Sequence, residues 1–189
     1  MVNTQRHRDP KGWTEYERRF FVTDPSVIEG QSFVNVTQAY LYAREGWAVR
    51  VRRVFHYDEQ GNVSLNENTL GLKGPRQSGQ RKEIEWPIEG EWAWQIFSSA
   101  QSKVFKRRYQ IVAGKAGTCD LDVFFFDNEG LMIAEFESEH GTPDLIAPEW
   151  CGREIVNDPR FDNENLAMRP YMSWPKEERA EVERSMRDR

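Results

Sequence analysis

A single domain, α+β in class and mostly β in content, is predicted from three features of the sequence. Segment after segment alternates apolar and charged residues with the period of two that a strand requires. Before the C-terminal third, only EGEWAWQIFSSAQS at 89–102 reads as a convincing helix. No repeat, low-complexity block or linker divides the 189 residues, a length suited to one well-buried domain.

Residues 1–13 are polar and read as a loose extension. The first strand runs from Glu15 to about Val22, and DPSVIEG then carries turn chemistry with a short helix. FVNVTQAYLY is β-rich, and WAVRVRRVFHY alternates apolar with basic residues before the turn DEQGN, where Asp58 and Glu59 read as turn residues. TLGLKG and RKEIEWPI form a strand pair across the loop GPRQSGQ. After the helix come the strands KVFKRRYQIV, CDLDVFFFD and LMIAEFESE, with DNEG as a hairpin turn between the last two. APEWCGREIVNDPRFDNENLAMRP mixes turns with short helical or extended pieces. The tail at 169–189 has helix-forming composition but few apolar residues, so a surface or frayed helix is expected there. The domain itself is expected to span 14–168.

Charge and composition narrow the function. A net charge of −5 gives no overall pull toward nucleic acid or acidic membranes, so neither is expected as a partner. His7, His56 and His140 lack the spacing of a zinc site. Cys119 and Cys151 are expected as free thiols in a reducing compartment, with a disulfide as the alternative. The N-terminus lacks the apolar core of a signal peptide, and no apolar run reaches the roughly 20 residues that cross a bilayer. A cytoplasmic protein is expected. Trp86, Trp92, Trp94 and Phe97 read as helix-on-barrel packing, and VFFFD as a β core run.

The pattern that points to chemistry is a set of charged doublets at strand spacing. They are Glu15 and Glu17 with Arg19; Arg50 and Arg52; Glu83 and Glu85, preceded in phase by Arg81; Lys106 and Arg108; Asp120 and Asp122; and Glu135 and Glu137. The opposite parity is largely apolar. Like charges two apart sit roughly 6–7 Å from one another and repel unless an opposite charge lies between them. Basic doublets need an anion and acidic doublets a cation. A polyphosphate with a divalent metal supplies both, and Mg²⁺ or Mn²⁺ suits carboxylate and phosphate oxygens. Closed into a barrel with its charged face inward, such a sheet would form a charge-lined tunnel in which each ion pair is less screened.

EYERR, TQAYLY before VRVR, LGLKG, RKEIE, KRRY, LDVF, GLMIAEFE and WCGREIVNDPRFDNENLA occur in the order of a known group. Over roughly 14–168 the sequence resembles the CYTH, or triphosphate tunnel metalloenzyme, superfamily. The resemblance implies an eight-stranded antiparallel closed tunnel barrel with helices packed outside. It implies a Mg²⁺- or Mn²⁺-dependent enzyme acting on a small-molecule triphosphate, most often an inorganic triphosphatase. Class IV adenylyl cyclase, thiamine or nucleoside triphosphatase, and a non-catalytic polyphosphate binder are the alternatives.

Carried onto this chain, Glu15, Glu17, Glu135 and Glu137 match metal ligands, with Asp122 as a further inward acid. Arg19, Arg50, Arg52, Lys73, Arg81, Lys106 and Arg108 match substrate-binding cations. Glu83 and Glu85 match a pair that holds a second metal or orients water, and with Arg52 and Lys106 they form the catalytic set. Arg19 stands where the family motif has lysine, a planar fork in place of a compact charge. Arg153 and Asn157 also depart from the pattern.

Overall fold

The computed structural model describes residues 13–188, apart from positions 59, 78, 79 and 142. The expected extension at 1–13 therefore lies outside the described residues up to position 12, and Glu59 likewise. Nine strands are present among the described residues: β1 (Trp13–Val22), β2 (Phe33–Arg44), β3 (Trp47–Tyr57), β4 (Val63–Lys73), β5 (Gln80–Pro87), β6 (Ser102–Val112), β7 (Thr118–Phe124), β8 (Met132–Ser138) and β9 (Cys151–Glu154). Three α-helices accompany them: α1 (Gly90–Ser99), α2 (Asn163–Met168) and α3 (Lys176–Ser185).

Every pairing is antiparallel, in the order β5-β4-β3-β2-β6-β7-β8-β1. β1 closes the ring by pairing with β5 at its start and with β8 further on, so eight strands close into a barrel. β9 was not foreseen as a strand. It adds to the β1 edge beyond the reach of β5, pairing Phe20 with Glu154 and Val22 with Cys151.

The inner face is charged along only part of its length. At a common level each strand changes from charge to hydrocarbon two residues on: Arg19 gives way to Phe21, Glu135 to Ile133, Asp122 to Phe124, Lys106 to Val104 and Arg50 to Ala48. These apolar residues form one buried cluster with Phe161, Leu166, Tyr171 and Trp174 from the segment that carries α2. Phe161 meets Phe21 edge to face at 4.9 Å between centroids. Barrel and segment thus share a core, and that end of the tunnel is stoppered.

The outer face follows expectation in part. Phe20, Leu121, Ala134 and Phe136 join Cys119 and Cys151, which form no disulfide, in a second buried cluster. α1 lies on β2, β3 and β4 and buries Ala93 and Phe97, but Trp92 and Trp94 are 61% and 55% exposed. Those tryptophans do not seal the helix to the barrel as expected. The VFFFD run also divides: Phe124 is buried, whereas Phe126 is exposed at a positive φ of 56°. The tail is docked rather than frayed, through Val182 in α3 and the approach of Met186 to Gly152, where Arg153 N donates to Met186 O at 3.0 Å. No helix among the described residues is long and apolar enough to cross a membrane.

Phe161 joins stopper to barrel, so Phe161→Ala is expected to cost about 3–5 kcal/mol. Urea unfolding of the variant beside the wild type measures it.

Candidate active site

The charged part of the inner face encloses a cavity of about 670 Å³. Alternation along each strand delivers its lining: Glu15, Glu17 and Arg19 from β1, Arg50 and Arg52 from β3, Lys73 from β4, and Arg81, Glu83 and Glu85 from β5. β6 adds Lys106 and Arg108, and β8 adds Glu135 and Glu137. The stoppered end contributes Asp162, Asn163 and Glu164. All the residues singled out from the sequence converge here except Asp122. That carboxylate is fully buried in the wall, 2.5 Å from Lys106 Nζ and held by both Arg108 Nε and Nη2.

The five carboxylates matched to metal do not act as one group. Oxygens of Glu15, Glu17 and Glu137 lie within 4.8 Å of one another. Glu135 instead accepts from Arg108 Nη2 at 2.7 Å, as Asp122 does, so these two face cations and stand apart from the trio. Electrostatics divide them the same way. Burial raises the Glu15 carboxyl to about 9, with Lys73 opposing and Glu83 and Glu137 adding to the rise. Glu17 is raised by burial and by Glu135, with Arg76 and Arg19 opposing, and Glu137 by burial, with Arg108 opposing and Glu135, Asp120 and Glu17 adding to the rise. Burial pushes Glu135 and Asp122 upward too, but neighbouring Lys106 and Arg108 hold both below the ordinary range.

Glu83 and Glu85 are bound up with the cationic wall. Glu83 Oε1 accepts from Arg50 Nη2 at 2.8 Å, and Oε2 lies 2.9 Å from Lys73 Nζ. Glu85 Oε1 accepts from the same Arg50 Nη2 at 2.7 Å. Despite burial, Lys73 and Arg50 keep Glu83 well below the usual carboxylate range. Gly71 lies beneath this crossing, where a Cβ would sit in ordinary van der Waals contact, 3.4 Å from Glu85 Cγ and 3.5 Å from Arg50 Cγ.

The cations differ in availability. Arg81 is taken up by Gly74 O, Gly46 O and Glu164, which makes it a staple between the β4–β5 loop, the β2–β3 turn and α2. Lys106 is lowered by burial, with Asp122 opposing, and also reaches Asn163 Oδ1 at 3.3 Å. Among the described residues Arg52 is the cavity cation with no ion-pair partner, and its buried Nε has no hydrogen bond.

Arg76, Asp162, Asn163 and Glu164 are cavity residues that the sequence reading passed over. Arg76 sits in GPRQSGQ, which reads as a connecting loop, and brings Nη1 to 2.8 Å from Glu17 Oε1. The other three lie in a turn-rich stretch with no strand alternation to mark an inward face.

The Glu15, Glu17 and Glu137 trio fits a hard divalent cation. It is an all-oxygen set, Glu15 Oε2 is buried without a hydrogen bond, and burial raises all three carboxyls against the pull of the nearby cations. Eight cationic side chains line the cavity against ten carboxylates, and these three are the ones that wall cations leave raised.

A pH dependence follows. The folded Glu15 carboxyl is raised from 4.5 to about 9, so its stabilising contribution is complete below 4.5 and lost as pH rises toward 9. A cation must displace that proton. Affinity for a divalent cation is therefore expected to climb over the same interval, with protons released on binding, as calorimetry in buffers of different ionisation enthalpy measures.

No family model matches the sequence. The chain is 31% identical over 162 residues to an inorganic triphosphatase of Acetivibrio thermocellus, covering 85% of this chain and 97% of the relative. Among solved structures it is similar to the inorganic triphosphatase NE1496, with a TM-score of 0.53, 27% identity, and coverage of 85% and 96% of the two chains. A second crystal structure of NE1496, described as a hypothetical protein, gives 0.52 and 28%, with coverage of 85% and 99%. With its closed eight-stranded barrel and this level of identity across nearly the whole relative, the chain belongs to the CYTH, or triphosphate tunnel metalloenzyme, superfamily.

Proposed function

We propose that this protein is a metal-dependent hydrolase of triphosphate compounds, and that its preferred reaction is cleavage of inorganic tripolyphosphate to pyrophosphate and phosphate. The observation that carries the reading is the opposition of the Glu15, Glu17 and Glu137 trio to a cationic wall in one cavity. The relative named as an inorganic triphosphatase supports it.

Mg²⁺ or Mn²⁺ held by the trio would neutralise phosphate charge and lower the barrier to attack by water. Arg52, which acts on Glu85 only at a distance and leaves its Nε without a hydrogen bond, takes a phosphate oxygen first. Arg50 and Lys73 are held in place by Glu83 and Glu85, and Lys106 and Arg108 by Asp122 and Glu135, so both sets face the substrate without reorganising. Charge that develops on the departing pyrophosphate then meets fixed cations. Glu85, at the more open side of its pair, is assigned to orient the water. Asp122 supports cations in this scheme rather than binding metal. A reducing, cytoplasmic setting is part of the proposal and accords with two cysteines that form no disulfide.

Phosphate release from tripolyphosphate, run beside cyclic AMP formation from ATP, tests the reading. Release with Mg²⁺ or Mn²⁺ is expected; cyclic AMP as the main product would make the protein a cyclase, and binding without turnover a binder. Glu17→Gln and Glu137→Gln are each expected to lower metal-dependent turnover more than about 100-fold, beyond what loss of an outer support causes. Circular dichroism of both variants should match the wild type. Arg52→Ala should lower kcat/KM for tripolyphosphate by about 10–100-fold, the worth of one charge-assisted hydrogen bond.

A further inference from the structure

Arg19 occupies the lysine position of the first motif, yet its guanidinium is engaged on several sides. Nε lies 3.0 Å from Glu17 Oε1 and Nη1 lies 2.9 Å from Asp162 Oδ1. Nη1 also donates to the Phe161 carbonyl at 3.1 Å. The side chain is 5% exposed, at the last charged level before the inner face turns apolar at Phe21. Arg76 reaches the same two acids from the β4–β5 loop, with Nη1 2.8 Å from Glu17 Oε1 and Nε 3.7 Å from Asp162 Oδ1. Two carboxylates and two guanidiniums therefore alternate around a ring. Both contacts to Glu17 fall on Oε1, and neither falls on Oε2.

We propose that this ring is the outer support of the cation site, and that Arg19 is a positioning residue: it fixes Glu17 against the stopper through Asp162 and does not contact substrate. A planar fork can touch Glu17, Asp162 and the Phe161 carbonyl together, which the single point charge of lysine cannot. Asp162 completes the balance. Without it, two guanidiniums would face one carboxylate, which would leave surplus positive charge beside the cation site and draw Glu17 away from its partners. The loop carrying Arg76 and the segment carrying Asp162 thereby become parts of the metal centre at one remove.

The inference rests on the metal-dependent reading above, so its test reads cation binding before turnover. Mn²⁺ alone is titrated calorimetrically into the wild type, Arg19→Lys, Asp162→Asn and the double variant, and KM for tripolyphosphate is then measured at saturating Mn²⁺. Each single change is expected to weaken Mn²⁺ about 10-fold, as loss of a ligand's outer partner does. The double variant should be no weaker than the weaker single, because the ring acts as a unit. KM at saturating Mn²⁺ should stay within about twofold of the wild type. Unchanged Mn²⁺ affinity in Asp162→Asn, multiplied effects in the double variant, or a raised KM in Arg19→Lys without a change in Mn²⁺ binding would each overturn the proposal alone. A wild type that binds no Mn²⁺ would remove the underlying reading with it. If Asp162→Asn fails to fold, Arg76→Lys takes its place in the same cycle, with the same expectations.

Discussion

Charge balance inside a closed wall is the constraint on which the rest of this structure depends. An inward side chain of a closed barrel is largely withdrawn from bulk water, and an unpaired ion in such a space is costly. The chain meets this with interlocked pairs. Arg50 serves Glu83 and Glu85; Arg108 serves Asp120, Asp122 and Glu135; Arg81 serves Glu164. Each group is buried or half-buried and holds its partner in one place, so the lining is set before any ligand arrives. The acidic trio is where this scheme is least complete: Glu17 is paired with Arg19 and Arg76 through Oε1 alone, Glu15 has only Lys73 at 3.9 Å, and all three carboxyls stay raised by burial.

Much of this was legible in the sequence because strand periodicity is a strong signal when one face is ionic. The doublets at Glu15 and Glu17, Arg50 and Arg52, and Glu135 and Glu137 fixed both the inward parity and the convergence of their side chains. What periodicity cannot supply is pairing across strands. Asp122 and Glu137 look alike as inward acids, yet one stands opposite Arg108 in register and the other opposite Glu17. That difference separates a cation holder from a member of the acidic trio. Arg81 was legible as inward but not as a staple, since Gly46, Gly74 and Glu164 come from three distant parts of the chain.

The stopper was illegible for a related reason. Phe161, Leu166, Tyr171 and Trp174 lie among prolines, turn residues and short helices, without a period that announces a buried face. Their counterparts Phe21, Ile133 and Phe124 read as ordinary strand residues, and their clustering at one level depends on register. The ninth strand was similarly hidden. Four residues are too few to show alternation, and β9 forms because β5 leaves the far part of the β1 edge unpaired.

The hydrocarbon stopper gives traffic through the cavity a direction. A hollow stoppered at that end cannot be threaded through it, so whatever enters from the other side must also leave from there. A long phosphate polymer could present only a terminus to the acidic trio, never an internal link drawn through from both sides. That a chain is met only at its end would then be due to the hydrophobic seam between Phe161 and Phe21 as much as to any charge.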